Sequence, residues 1–346
     1  MNERKDWRYY EIVDDTLRQG FEFRYLLLRD GAIQPFFIVD QDLTEGAGRG
    51  IRSIVRRIRS IWPRFLKMRT LMVGCAAGEG HLASHDAAEE VAAALPELAR
   101  NAKAGLIVFK EFPSRYRAVM ETVRERGFTR VPSLPMTRLN IEYESFDDFV
   151  AKKLSKVMRK NVRRKLRAAA EAEIELEVTS DITPYVDEVY QLYLAVYERS
   201  ALHFEKLTRE FLIALGTRMP DKVRFFIWRR AGKAIAFSLT LIHGDTLYDE
   251  YLGLDYAVAL DLHLYFYTLR DIIDWAIAHG LKWYVSSALN YDPKLHLRCE
   301  LVPLDLYVTH TSPVVNAILK RALPLLEPTR NDPVLRKFPN FNEVWG

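Results

Sequence analysis

Two adjacent carboxylates, Asp249 and Glu250, lie inside the β-rich run "TLYDEYLGL". Strand side chains alternate, so Asp249 and Tyr251 are expected on one face and Tyr248 and Glu250 on the other. A central strand covered on both sides by helices is usually apolar. Carboxylates in it imply a cleft beside the strand, where one of them can accept a proton from a bound group. The alternative is a solvated strand end. His263 stands near the start of a helix, as an acid–base candidate or a structural residue, and His203 in "SALHFEK" has the same two readings.

A second candidate is the loop in "LMVGCAAGEG". Gly78 and Gly80 follow a strand and precede a helix, where backbone N–H groups can hold a diphosphate. Equally, glycines there let two backbone segments approach closely. The loop also suits an S-adenosylmethionine-dependent methyltransferase, with Glu111 ending the next strand. Glu111, however, lies 31 residues past Gly80, against roughly 20 in a dinucleotide-binding unit. The antiparallel hairpin before the loop also does not suit a doubly wound sheet. Cys75 and Cys299 are isolated, and His81 and His85 lack nearby partners, so no metal site is expected. No Ser-His-Asp arrangement is recognisable.

The third feature is charge. The net charge is only +4, from 50 basic and 46 acidic residues. Yet Ala151–Ala170, "AKKLSKVMRKNVRRKLRAAA", holds nine basic residues and no acid, and Arg52–Arg69 holds seven and no acid. The remainder of the chain is therefore acidic. Leu154, Met158, Val162 and Leu166 recur every four residues, so one stripe of a helix packs inward. Lys156, Arg159, Arg163 and Arg164 are among the cations on its other faces. A solvated helix usually interleaves acids at i+4. This one lacks them, so it is either a bare surface or a platform for a polyanion.

The elements that must position these residues occur in a twice-repeated order. "FRYLLLRDGAIQPFFIVD" predicts a hairpin about Asp30-Gly31. The basic amphipathic stretch "IRSIVRRIRSIW" follows it. Strands at Thr70–Cys75, "GLIVFKE" and "MTRLNIEY" alternate with helices over 86–103 and 116–126. In the second half a helix over 145–170, capped by Ser145, leads to the strand "IELEVTS". Two helices follow, over 184–199 and 208–218. A meander then ends in "TLYDEYLGL", and a helix over 261–279 and two last strands close the half. The tail beyond Glu327 carries three prolines and is expected to be extended, with Phe338, Phe341 and Trp345 docking it.

This order resembles the tandem form of the GNAT acyltransferase fold, which includes the FemAB-like transferases and the related peptidoglycan biosynthesis/recognition (BioF2-like) proteins. The resemblance is carried by "YESFDDFVAKKLSKVMRKNVRRKLRAAA", "TLYDEYLGL", "LHLYFYTLRDIIDWAIAHGL" and "DPKLHLRCELVPLDLYVTH". It covers about Phe21 to Pro313. It implies an α+β fold of two GNAT-like domains, with mixed central sheets flanked by helices. The expected bounds are 1–144, 145–326 for the domain carrying the main site, and 327–346 for the tail.

The resemblance also implies acyl or aminoacyl transfer to an amine of a small molecule or peptide. N–H groups where the central strand splays would polarise the carbonyl, with Glu250, Asp249 and Tyr251 at that strand. Lys294 matches the family's late lysine. It can bind a phosphate or carboxylate, or sit on the surface beside Asp292. The donor is acyl-CoA, on Gly78 and Gly80, or aminoacyl-tRNA, on the basic helix. Cys75 stands where users of acyl-CoA carry Arg or Gln. No tightly bound cofactor is expected, and the alternative function is an inert tandem-GNAT binding module. No apolar run reaches the roughly 18 residues of a membrane span, and no signal-peptide core opens the chain. The expected setting is cytoplasmic.

Overall fold

The computed structural model describes residues 4–42, 49–63, 65–84, 87–200 and 203–346. Arg64, His85 and the expected helix start at Asp86 lie outside them. The chain opens on a helix not anticipated from the sequence, α1 (Trp7–Thr16), whose first turn is capped by the Asp6 side chain accepting the Arg8 N–H. Then come β1 (Phe21–Leu27), β2 (Ile33–Asp42), α2 (Arg49–Arg59), β3 (Lys67–Val73), α3 (Ala87–Asn101), β4 (Leu106–Pro113), α4 (Glu121–Glu125) and β5 (Thr129–Asn140). The second half runs α5 (Phe146–Lys153), α6 (Lys156–Ala170), β6 (Ile174–Thr179), α7 (Val186–Tyr197), α8 (Arg209–Arg218), β7 (Val223–Arg230), β8 (Lys233–His243) and β9 (Thr246–Leu254). It closes with α9 (Leu264–Ala278), β10 (Trp283–Ser286), α10 (Tyr291–His296), β11 (Glu300–His310) and α11 (Pro313–Leu326).

The eleven strands among the described residues form one sheet, ordered β1-β2-β3-β4-β11-β5-β10-β9-β8-β7-β6. The two expected sheets are thus joined edge to edge, and the join is an exchange. β11, from the second half, lies between β4 and β5 of the first, while β5 pairs with β10 of the second. Each half holds one parallel pair, β3/β4 and β9/β10, among otherwise antiparallel neighbours. One apolar core runs beneath both halves, from Tyr9 and Ile12 of α1 through Phe37, Met72 and Val108 to Phe211, Phe225 and Phe237. The opposite face is covered by α3 over the first half and by α5, α6 and α9 over the second.

Four local expectations changed. The β1–β2 hairpin closes through residues 28–32, with Gly31 at φ +81°, not through a two-residue turn. The strand expected at "MTRLNIEY" begins earlier, at Thr129, despite Pro132 and Pro135. Its register against β11 slips between Met136 and Ser133, and prolines are tolerated at such bulges. The helix over 145–170 is two helices, because Leu154 turns extended (ψ +145°) and buries its side chain between them. The tail is not extended. It folds into three short 3-10 turns that bury Leu335, Phe338 and Val344, and Asn340 bonds both backbone groups of Leu301. Docking by the tail aromatics holds: Phe341 and Trp345 pack on the second-half core.

Candidate active site

β9 and β10 run in parallel register only from Thr246↔Trp283 to Asp249↔Ser286. Beyond that point β9 continues and β10 stops. At the same place β9 slips against β8: Leu239 pairs with Tyr251 and Thr240 with Asp249, leaving Glu250 as the extra residue of a bulge. A bulge re-aims side chains and frees backbone groups from the ladder. It corrects the expected alternation, since Tyr251 packs into the same cluster as Tyr248 while Leu252 packs into the opposite one. A narrow cavity of about 30 Å³ lies at the splay, lined by Asp249, Glu250, Tyr251, Leu252, Tyr265, Thr268, Leu269, Ser286 and Ser287. It has room for a water or two.

On one side of β9, Asp249 accepts hydrogen bonds from the Ser238 and Tyr284 hydroxyls, the latter at 2.6 Å. Burial pushes its carboxyl up, against those two bonds. Lys294 of α10 is 2% exposed and donates to the carbonyls of Ser287 and Leu289, at 2.5 and 2.7 Å. The surface alternative for Lys294 is therefore wrong. Leu289 and Asn290 both have left-handed φ, +73° and +49°, which turns this loop back toward α10. Burial lowers the Lys294 ammonium to about 8, although the Asp249 charge opposes the shift.

On the other side, Glu250 meets Arg4 and Lys5, which the sequence reading did not single out. Arg4 Nη1 lies 3.2 Å from Glu250 Oε1, and Lys5 Nζ lies 3.3 Å from Glu250 Oε2 and 3.3 Å from Glu79 Oε2. Arg4 also pairs with Glu79 and stacks over the Tyr248 ring. Burial alone would raise the Glu79 carboxyl, but Arg4 and Lys5 outweigh it and hold it low. Both cations are buried, and both are held protonated by the two carboxylates against the cost of burial. Glu250 Oε1 and Arg4 Nε have no hydrogen-bond partner within the described residues. Lys5 and Glu250 are 245 positions apart in the chain, so no short motif signals the cluster.

The remaining candidates sit elsewhere. The Tyr251 hydroxyl donates to Glu205 at 2.7 Å, and burial raises the Glu205 carboxyl. His263 takes a left-handed conformation (φ +48°) just before α9 and is not among the cavity-lining residues. Burial lowers its imidazole, helped by Lys165 and Arg164 of α6. His203 Nε2 donates to the Tyr197 carbonyl at the end of α7, a local contact.

The loop at Gly78 and Gly80 shows its carbonyls to cations. Ala77 O accepts from Lys5 and from the Tyr9 hydroxyl, and Gly78 O accepts from Lys110. A side chain at Gly80 would lie 2.4 Å from the Lys110 carbonyl oxygen and 2.5 Å from the Phe112 ring, so this glycine serves the close approach of two segments. Glu111 pairs with Lys110. On α6, Lys156, Arg163 and Arg164 are exposed, whereas Arg159 is half-buried and donates to the Ala151 carbonyl across the helix break. No group of three His, Cys, Asp or Glu residues suited to a metal occurs among the described residues.

A splayed parallel pair with a bulge at its end, present inside an exchanged double sheet, defines an α+β protein of the tandem GNAT-like class. The chain belongs to the FemAB-like family, described as peptidoglycan biosynthesis/recognition, which it matches over residues 77–289. Membership places it with acyl- and aminoacyl-transferases in general. No curated protein matches it in sequence. Among solved structures it is similar to FemX, at 11% identity over 91% of this chain and 93% of that one, with a TM-score of 0.56. It is also similar to L-PGS from Bacillus licheniformis, at 12% identity over 96% and 99%, with a TM-score of 0.55. At such identities the likeness is one of fold. The mostly antiparallel sheet is not the doubly wound sheet of the methyltransferase alternative.

Proposed function

We propose that the protein transfers an aminoacyl group from aminoacyl-tRNA to an amine of a peptide or small molecule, at the splay of β9 from β10. The bulge at Glu250 carries this reading: it frees backbone N–H groups at a strand end, beside a cavity, with carboxylates on both sides of the strand. Donors so placed act on a carbonyl oxygen as it gains charge. Glu250 then draws the proton from the attacking amine, directly or through a water, and the proton passes to the tRNA ribose oxygen that leaves as the aminoacyl ester bond breaks and the amide bond forms. Its ion pairs with Arg4 and Lys5 hold it in place. Asp249, steadied by Ser238 and Tyr284, fixes the opposite wall, and Lys294 supplies a positive group near it.

Two observations favour tRNA over acyl-CoA as donor. The glycine loop turns carbonyls, not N–H groups, toward its interior, and Lys5 fills the space beside Gly78. The α6 cations Lys156 and Arg163 have no acidic partner among the described residues. The family's description adds weight to a peptidoglycan-type peptide as acceptor. Glu250→Gln keeps the size of the side chain and removes the base. We expect turnover to fall ~10²–10⁴-fold, the usual range for a lost general base, with the fold intact by circular dichroism. Wild-type turnover in that variant across pH 6–9 would refute the role of Glu250.

A further inference from the structure

The second basic segment, α2 and the residues after it, has a different surface from α6. At 3.6 residues per turn, Ile54 and Ile58 fall on one stripe of the helix, and Ile61 and Trp62 follow just past its end. Val55 and Arg59 lie along one edge of that stripe. This edge holds the helix to the body: Val55 is buried, and Arg59 makes a bidentate pair with Asp42 of β2, at 2.6 and 2.7 Å. Ile58 is half-buried, and the apolar residues on either side of it turn to solvent. Ile54 is 62% exposed, Ile61 90% and Trp62 61%. Arg57 is exposed beside the stripe and Arg56 is exposed on the opposite side of the helix, and neither has an acidic partner among the described residues.

Exposed isoleucine is costly in water and gives a nucleic acid nothing to stack on or bond. An exposed apolar stripe with a tryptophan at its end and an arginine beside it instead matches a helix lying in a lipid headgroup layer. Anionic headgroups complement the arginine. We propose that α2 and Trp62 form a membrane-surface site for anionic lipid, with Ile54, Ile61 and Trp62 entering the layer and Arg57 pairing with phosphate. β3 separates this patch from the Gly78–Gly80 loop by seven residues, roughly 20 Å at strand rise. The patch thus tethers the protein without forming part of the catalytic cleft.

The test is sedimentation of the full chain with vesicles of phosphatidylcholine alone or mixed equally with phosphatidylglycerol, at low and high salt. The wild type is expected to bind the anionic vesicles and to lose binding as salt rises. An exposed arginine near such a surface is worth about fivefold in affinity, so R57E is expected to weaken binding by at least about fivefold. I61D/W62D, which alters two exposed side chains, is expected to melt as the wild type does and to lose vesicle binding as well. Three results would each overturn the proposal: wild type left in the supernatant with anionic vesicles at low salt; I61D/W62D binding like the wild type; or R57E losing tRNA binding while vesicle binding stays unchanged.

Discussion

Lys294 is a cation placed where water cannot reach it, and its cost can be measured. Burial lowers its ammonium from 10.5 to about 8. Between those two pH values the unfolded chain keeps the proton and the folded chain sheds it. Stability contributed at this residue is therefore low below pH 8 and rises through the window toward pH 10.5. The full rise corresponds to about 3 kcal/mol. Lys294→Met removes it, so the stability difference between wild type and variant should shift in favour of the wild type as pH climbs from 8 to 10.5. Denaturant melts at several pH values check this, and a difference that stays constant would show that Lys294 titrates normally. The glycine loop gives a second residue-scale prediction. Gly80→Ala forces its new methyl against the Lys110 carbonyl and Phe112, and overpacking of that kind costs about 1–3 kcal/mol. Thermal melting of the variant would expose the cost.

At the scale of elements, sequence patterns disclosed much and missed what depends on distant partners. The second-half strands, helices α7, α8 and α9 and the Ser145 cap were legible, because periodicity and capping chemistry are local. Asp249 and Glu250 were legible as misplaced carboxylates. Their faces were not, because the bulge that re-aims them is set by register against β8. α1 was overlooked because its first turn, rich in charge and tyrosine, hides the buried spacing of Tyr9, Ile12 and Val13. Arg4 and Lys5 read as ordinary solvated charges, and only the fold brings Glu79 and Glu250 to them. The split of α5 from α6 also changes which cations can serve a polyanion. Arg159 is occupied at the break, so reversal of Lys156, Arg163 and Arg164 to Glu is the sharper variant. Each lost phosphate contact should flatten the salt dependence of tRNA affinity by ~0.7–0.9 log units per decade of salt. An unchanged slope by filter binding would show that α6 does not contact the RNA.

At the scale of the whole molecule, the exchange of β5 and β11 ties the halves into one sheet. β4 loses one of its two neighbours without residues 300–310, and β10 loses one of its two without residues 129–140. The N-terminal segment adds a second tie, since α1 packs on α8, Arg218 pairs with Asp15, and Arg4 and Lys5 bridge Glu79 to Glu250. Residues 1–144 expressed alone should therefore give no cooperative melt, while the full chain should unfold in one transition. A sharp, independent transition from the fragment would show that the exchange is dispensable.

The central claim is that aminoacyl transfer occurs at the splay of β9 from β10. It is tested most directly by offering the full-length protein a peptide amine with either radiolabelled aminoacyl-tRNA or acyl-CoA, with and without ribonuclease, beside Glu250→Gln. The account predicts label on the peptide from aminoacyl-tRNA, abolished by ribonuclease and reduced at least ~10²-fold in the variant. Transfer that ribonuclease leaves untouched, or no transfer from either donor, would contradict it.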